Sequence, residues 1–259
     1  MTKSKQKSLA YLRSKLSSKT SSIGSWIQIN SSDVAELMSY SKYDWLVIDM
    51  EHGSISFSDL PNLIRSIELG GAMPLVRVPE INERYCKAAM DAGAYGLILP
   101  MVKSAEDIIQ AINFSCWPPK GKRGVGFSRA NMYGKYFEEY KKLSQKPFIV
   151  AQIENKKAFE DLDQILQVKD LDSIMIGPYD LAASLGKKVD FESKIFKNMI
   201  NKILSLSKKF NIPCGIHQVK PNEKQLEKYI SSGYSFIAYS TDAYFLINSS
   251  VNPLVKEEK

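Results

Sequence analysis

The sequence predicts an α/β fold of the (β/α)8 barrel, or TIM-barrel, class as a single domain. Three observations carry that prediction. Eight short, continuously apolar runs recur along the chain, as parallel strands buried on both faces require. Most are followed by a helical pattern, and eight such units fit a chain of 259 residues. No G-x-G-x-x-G follows the first run, which weakens the competing doubly wound open sheet in its dinucleotide-binding form.

The elements follow in order. Residues 23–29 read as the first strand, and Ser31-Ser32-Asp33 supplies N-cap residues for a helix over 32–40. Residues 45–48 form the second strand, ending at Asp49, and a helix over 57–69 is closed by Gly70-Gly71. Strands at 74–78 and 95–99 are followed by helices over 83–92 and 104–114. Residues 115–147 break the rhythm. Trp117-Pro118-Pro119 stops a helix, a Lys/Arg/Gly stretch runs from Lys120 to Gly126, and aromatics follow through Tyr133, Tyr136, Phe137 and Tyr140. So long an insertion between barrel strands is often functional. The alternation resumes with strands at 148–153, 171–176, 213–217 and 234–239. The corresponding helices span 157–167, about 191–210, 223–231 and 242–247.

Composition narrows the class of protein. Apolar residues make up 44% and charged residues 24%, which is ordinary globular composition and argues against disorder. No run approaches 18 apolar residues, so a membrane-spanning helix is excluded. Cys86, Cys116 and Cys214 are odd in number, widely spaced and in no C-x-x-C pair. That pattern fits free thiols in a reducing, cytoplasmic setting. The net charge is +7, and six of those charges sit in residues 1–20 as Lys3, Lys5, Lys7, Arg13, Lys15 and Lys19, with no acid. One Arg against five Lys is unlike a transit peptide, and no apolar core marks a secretory signal. Leu9, Leu12 and Leu16 recur at helical spacing. Residues 1–20 therefore read as a solvated basic segment with a short amphipathic helix, ahead of a barrel domain over 21–259. Neither nucleic acid nor membrane is expected as a partner.

In a barrel of this class the site lies at the C-terminal ends of the strands. The second strand is followed by Asp49, Glu51 and His52, and the third carries Arg77 near its end. The fifth ends in Gln152-Ile153-Glu154, the sixth runs into Gly177-Pro178-Tyr179-Asp180, and the seventh ends at His217-Gln218. Each has a structural reading. Asp180 can cap the next helix, Arg77 can serve as an ion-pair partner, and Gly177-Pro178 can be turn chemistry alone. As a set they place hard oxygen ligands, a titratable base and an anion binder on one rim. Glu154 and Asp180, from neighbouring strands, suit Mg²⁺ or Mn²⁺, with Co²⁺ or Zn²⁺ as further candidates. A substrate with adjacent carboxylate and ketone oxygens can chelate such an ion, which then polarises the ketone and stabilises an enolate. His52 is the natural base, with Asp49 or Glu51 fixing its tautomer, and Arg77 can hold a carboxylate or oxyanion. Schiff-base chemistry needs a buried lysine. None lies in the eight strands, and Lys103 and Lys220 lie just past strand ends.

On these residues the chain resembles the HpcH/HpaI aldolases, metal-dependent class II pyruvate aldolases of the phosphoenolpyruvate/pyruvate barrel superfamily. The matching stretches are GSWIQINSSDVAEL, YDWLVIDMEHG, PLVRVP, DAGAYGLILPMVKSAED, WPPKGKRGVG, AQIEN and IGPYDLAASLG, in family order from about residue 20 to 186. A weaker match continues through PCGIHQ and SGYSFIAYSTD. The resemblance implies that His52 is the catalytic base, Asp49 its acidic partner and Arg77 the arginine that stabilises the enolate. It implies Glu154 and Asp180 as metal ligands, and substrate contacts from Gln152 and the backbone of position 179. It implies a homo-oligomer, commonly a hexamer. The chain departs from the pattern at Tyr179, where a small residue is frequent, at Gly53-Ser54-Ile55, and at His217.

The expected function is therefore a lyase that reversibly makes and breaks the carbon–carbon bond between pyruvate and an aldehyde, acting on 2-keto-3-deoxy or 4-hydroxy-2-oxo acids. The alternative is a metal-dependent CoA-thioester lyase of the citrate lyase or malyl-CoA lyase kind. The E-H-G stretch after the second strand favours free pyruvate. A non-catalytic protein binding through its basic arm leaves the strand-end constellation unexplained.

Overall fold

The computed structural model describes residues 2–186 and 191–253. Helix α1 (Thr2–Ser17) leads into β1 (Ser22–Ile27), α2 (Ser32–Ser39), β2 (Trp45–Asp49), α3 (Leu60–Gly70), β3 (Met73–Arg77), α4 (Glu83–Ala92), β4 (Gly96–Leu99) and α5 (Ala105–Ser115). The insertion follows, with a 3-10 turn at Arg129–Asn131 and α6 (Phe137–Leu143). The second half runs β5 (Phe148–Ile153), α7 (Lys156–Glu160), α8 (Leu162–Ile165), β6 (Ser173–Ile176), α9 (Pro178–Ala183) and α10 (Lys194–Phe210). It ends with β7 (Cys214–Gln218), α11 (Glu223–Ser232), β8 (Phe236–Thr241) and α12 (Asp242–Ser249). The strands pair in sequence order, all parallel, and β8 returns to β1 to close the barrel.

Local chemistry accounts for most boundaries. Ser31 caps α2 by accepting from the Val34 N–H, and Asn82 and Asn222 do the same for α4 and α11. The helix expected over 157–167 is instead two short ones, α7 and α8. The break falls at Asp161, whose carboxylate accepts from the Ala105 N–H at 2.8 Å and ties the turn to the start of α5. The helix expected from about residue 191 begins at Lys194, where Ser193 caps it. The stretch just before it, 187–190, and the chain end 254–259 lie outside the described residues. Cys86, Cys116 and Cys214 are buried as free thiols, and no helix among the described residues is long and apolar enough to cross a membrane.

The inside of the barrel is built in layers, each supplied by alternate strands. Trp26 pairs with Val47 and Val47 with Leu75, and Arg77 lies two residues beyond Leu75. The same two-residue step leads from Arg77 to Gln152, from Gln152 to His217 and from His217 back to Trp26. These four side chains thus form one layer, the floor of the barrel mouth. Val47, Ile98, Met175 and Ala238 make the layer beneath, all buried. Below them Trp45 and Phe236 stack with ring centroids 4.1 Å apart. Gly24 makes room for this stack, since a Cβ there would lie 2.1 Å from the Trp45 ring.

The N-terminal segment corrects an expectation. It is not a solvated basic end. Leu9, Leu12 and Leu16 of α1 are buried in the same cluster as Trp45, Met73, Tyr95, Phe148 and Phe236, so the helix closes the bottom of the barrel. Three of its basic residues, Lys5, Arg13 and Lys15, dock it to the barrel. Arg13 pairs with Asp172 at 2.6 Å and Lys15 with Asp44 at 2.8 Å. The Lys5 ammonium donates to the carbonyls of Gly93 and Ala94 at 3.2 and 2.6 Å and lies 4.7 Å from the Tyr95 ring centroid. Burial pushes its pKa down to about 7.

Leu12→Ala should therefore lower unfolding free energy by about 3 kcal/mol, as expected for a leucine truncated in a packed core. Tyr11→Ala, one position along on the exposed face, should stay within about 0.5 kcal/mol. Urea titration of both variants tests this, and equal small losses would show that α1 is not part of the core.

Candidate functional site

The floor layer is polar where the layers below are apolar. Trp26, Arg77, Gln152 and His217 are four inward side chains, and three of them present a buried atom without a partner: Trp26 Nε1, Gln152 Oε1 and His217 Nε2. Native interiors leave few such atoms, and each one asks for an explanation. Strand alternation alone puts these residues here, directly beneath the loops that carry the remaining candidates.

Arg77 is held by a fork. Its Nε donates to Asp49 Oδ1 at 2.8 Å and its Nη2 to Asp49 Oδ2 at 2.6 Å, while Nη1 stands 3.0 Å from Glu51 Oε2. The guanidinium lies over the Trp26 ring at 4.3 Å. Asp49 also accepts from Gln28 Nε2 at 3.0 Å and from the backbone N–H groups of Glu51 and His52 at 3.1 and 3.2 Å. Burial alone would raise its carboxyl, but the paired bonds from Arg77 outweigh that and hold it below the usual carboxylate range.

His52 is placed differently from the expected dyad. Asp49 holds the backbone of His52, not its ring, because both Asp49 oxygens already face Arg77. The imidazole is 60% exposed, and the acid beside it is Glu51, whose Oε2 lies 3.9 Å from Nε2. Glu51 thus stands between Arg77 and His52. Burial raises its pKa, while the charges of Arg77 and His52 act the other way.

Glu154 is the most perturbed acid of the rim. Its Oε1 accepts from the Met101 N–H and its Oε2 from Gln152 Nε2 at 3.0 Å. Met101 adopts a left-handed φ of 49°, one residue past Pro100, and so turns its N–H toward the carboxylate. Burial, helped by the negative charges of Glu51 and Asp180, pushes the Glu154 pKa up to about 7. Gly177 is more than turn chemistry. Its φ is −95°, within reach of any residue, but a Cβ there would come within 2.6 Å of Glu154 Oε2. Asp180 does not cap a helix. Gly177 occupies the cap of α9, and Asp180 sits exposed in its first turn.

These residues fit a hard divalent cation. Two carboxylates and the unpartnered Gln152 Oε1 are all oxygen donors, and the crowding of Glu51, Glu154 and Asp180 is a surplus of negative charge that a cation relieves. Among the described residues no three His, Cys, Asp or Glu side chains stand at metal-holding spacing. Tyr179 is exposed beside Asp180 and packs edge-on against Phe191 at 5.0 Å. Lys103 and Lys220 are both exposed, so neither lysine past a strand end has the burial that Schiff-base chemistry needs. Sequence reading missed Trp26 and Gln28. Their signal was alternation: Trp26 is an inward position near the end of β1, and Gln28 follows two residues on.

A barrel whose mouth gathers acids, an arginine and a histidine on its C-terminal rim defines an enzyme of the (β/α)8 class. The chain belongs to the HpcH/HpaI aldolase/citrate lyase family, whose model matches residues 22–249. It is 30% identical over 234 residues to a 2-dehydro-3,6-dideoxy-6-sulfogluconate aldolase of Pseudomonas putida, covering 90% of this chain and 91% of that one. It is 33% identical over 222 residues to a 2-keto-3-deoxy-L-rhamnonate aldolase of Klebsiella pneumoniae, covering 85% and 82%. The crystal structure of an HpcH/HpaI aldolase/citrate lyase family protein from Burkholderia cenocepacia superposes with a TM-score of 0.86 at 28% identity, covering 93% of this chain and 96% of that one.

The Asp49–Arg77 pair sets a stability expectation. Asp49→Asn should cost about 3 kcal/mol at neutral pH, because it leaves the buried guanidinium short of charge. The Asp49 pKa is depressed in the fold, so its contribution is fully present above the ordinary carboxylate value of 3.8 and fades as the pH falls toward the lower folded value. Denaturant titrations of both proteins at stepped pH should show the gap constant above about pH 5 and closing below pH 3.8. A gap that widened on acidification would contradict the pairing.

Proposed function

We propose that this chain is a carbon–carbon lyase of the aldolase type that reversibly joins pyruvate, or a close 2-oxo acid, to an aldehyde. The observation that carries the reading is the single rim on which Arg77, Glu154, Asp180 and His52 meet above a polar barrel floor. The names of the relatives support it. A 2-keto-3-deoxy acid has its ketone at C2 and a methylene at C3, and breaking the C3–C4 bond leaves pyruvate and an aldehyde.

Glu154 and Asp180 would hold a divalent cation, Mg²⁺ or Mn²⁺, with Gln152 Oε1 beside them. Such an ion supplies Lewis-acid polarisation of the ketone oxygen. The chain's own residues do the rest. The Arg77 guanidinium, fixed by Asp49 through Nε and Nη2 and backed by Trp26, would use its remaining N–H groups on the substrate oxygens and favour the enolate as its charge develops. His52 takes the proton of the C4 hydroxyl in cleavage. The C3–C4 electron pair then moves into the C2–C3 bond of the enolate, the aldehyde leaves, and protonation at C3 gives pyruvate. In the synthetic direction His52 removes a proton from the pyruvate methyl. Its exposure lets the ring exchange that proton with water. The exposed Val125, Phe127 and Tyr133 of the insertion support a homo-oligomer, since apolar side chains of that size gain by being covered.

The direct test is to offer pyruvate, Mg²⁺ or Mn²⁺ and a panel of aldehydes, and to read product masses. Condensation products are expected with the wild-type protein and none with Glu154→Ala. Products that persist at full rate in Glu154→Ala under chelation would overturn the reading. Exchange of the pyruvate methyl protons in deuterated water isolates the base. His52→Ala should slow it by ~10²–10⁴-fold, and an unchanged rate would assign the proton transfer elsewhere.

A further inference from the structure

We propose that the cavity between α10 and α11 takes the tail of the acceptor aldehyde, so that the preferred acceptors carry an aromatic or branched apolar group. This rests on the lyase reading above and names the acceptor class of that site. The donor remains pyruvate, and C3 of the condensation product remains a methylene.

The cavity has a volume of ≈ 470 Å³ and borders the site at two points. Its lining includes His217, a member of the floor layer, and Tyr179, which directly precedes Asp180. It continues against Phe191, against Phe196 and Ile200 of α10, and against Tyr229 of α11. Other sectors of the rim are tied shut. Asp242 accepts from the Gln28 and Ile29 N–H groups at 2.9 Å and joins the ends of β1 and β8. The Asp49–Arg77 pair fills the side of β2 and β3. Asn155 Nδ2 donates to the Val102 carbonyl at 2.7 Å and joins the loops after β4 and β5. The side of β6 and β7 opens into the cavity.

The reaction directs the tail to that side. C4 of the product carries a hydroxyl and the tail, and the hydroxyl faces His52, which follows β2. In a closed barrel of eight strands β6 lies opposite β2. The substituent that points away from His52 therefore points toward Tyr179 and the cavity.

The lining selects what the tail is made of. Tyr179, Phe191 and Phe196 form a run of rings in edge contact, with successive centroids 5.0 and 5.4 Å apart. Tyr179 is 51% exposed, so a tail laid against it removes apolar surface from water. This ring stands where the family resemblance has a small residue as the frequent choice, which makes the wall a feature of this chain. Gln218, a polar member of the lining, is already engaged: its Nε2 donates to the Lys220 and Asn222 carbonyls at 3.1 and 2.8 Å. The side chains of Lys220 and Asn222 are exposed and stay in water. A hydroxylated tail would exchange water for ring faces and lose hydrogen bonds, whereas a phenyl or branched alkyl tail gains by the same exchange.

3-Phenylpropanal, propanal and 3-hydroxypropanal share one CH₂–CHO end and differ in the tail. Their kcat/KM values with saturating pyruvate and Mg²⁺ test the proposal, alongside calorimetry with 3-phenylpropan-1-ol, which has the same tail and cannot condense. 3-Phenylpropanal should exceed each of the others by at least ~10-fold. Ile200→Trp fills the cavity from α10, away from the reacting atoms. It should bring the ratio of 3-phenylpropanal to propanal close to one, leave the propanal value unchanged and abolish binding of the alcohol. Tyr229→Ala removes a wall on α11 and should lower the same ratio, which keeps the test open if Ile200→Trp fails to fold. A wild-type ratio of one or below, or a ratio that neither variant lowers, overturns the proposal. Products from all three aldehydes at equal efficiency remove the acceptor assignment and leave the lyase reading. No product from any aldehyde, with alcohol binding that Ile200→Trp abolishes, removes the lyase reading and leaves an apolar ligand site.

Discussion

The buried pair between Asp49 and Arg77 is the interaction on which the mouth of this barrel depends. Removing two charges from water is costly, and attraction alone seldom repays it. Here the remaining hydrogen-bonding capacity is nearly filled. Asp49 takes two bonds from the guanidinium, one from Gln28 and two from backbone N–H groups. Those last two fix the turn that carries Glu51 and His52. One carboxylate therefore sets the orientation of the arginine and the path of the loop after β2. Trp26 supports the guanidinium from below at 4.3 Å.

Beyond the pair, the rim has the reverse electrostatics. Glu51, beside Arg77, acts together with Glu154 and Asp180 as like charges close enough to influence one another. Glu154 is buried and raised to about 7, supported by the Met101 N–H and the Gln152 amide. A fold that needed only stability would not assemble these groups, since each would be better solvated alone. Together the two halves give the mouth a positive wall at Arg77 and a negative one at Glu154 and Asp180. An oxo acid chelated to a cation matches that polarity in both parts.

The helix that precedes the barrel shows how far composition can mislead. Six basic residues without an acid read as a solvated arm. Arg13, Lys15 and Lys5 instead meet Asp172, Asp44 and two backbone carbonyls of the barrel bottom. The partners lie up to 159 residues away, so no local pattern announces them. The leucines told the truth about the helix because their spacing is a property of the helix itself. Asp161, which splits one expected helix into α7 and α8, is a similar case: its partner is the start of α5.

The sequence by itself determined the eight strands, their order and the rim on which the chemistry-bearing residues collect. Continuous apolar runs and strand ends are local signals, and a parallel barrel turns every strand end toward one face. Only the tertiary structure decided which of those residues touch. Asp49 stands three positions from His52 in the chain, yet its carboxylate belongs to Arg77, because β2 and β3 pair with Asp49 level with Arg77. Trp26, Gln152 and His217 join Arg77 in one layer for the same reason: the stagger of paired strands sets the layers, and no single segment records it. Gly177 is small because Glu154, from the neighbouring strand, fills the space its side chain would take. Contacts of this kind depend on register between distant segments, which sequence periodicity does not encode.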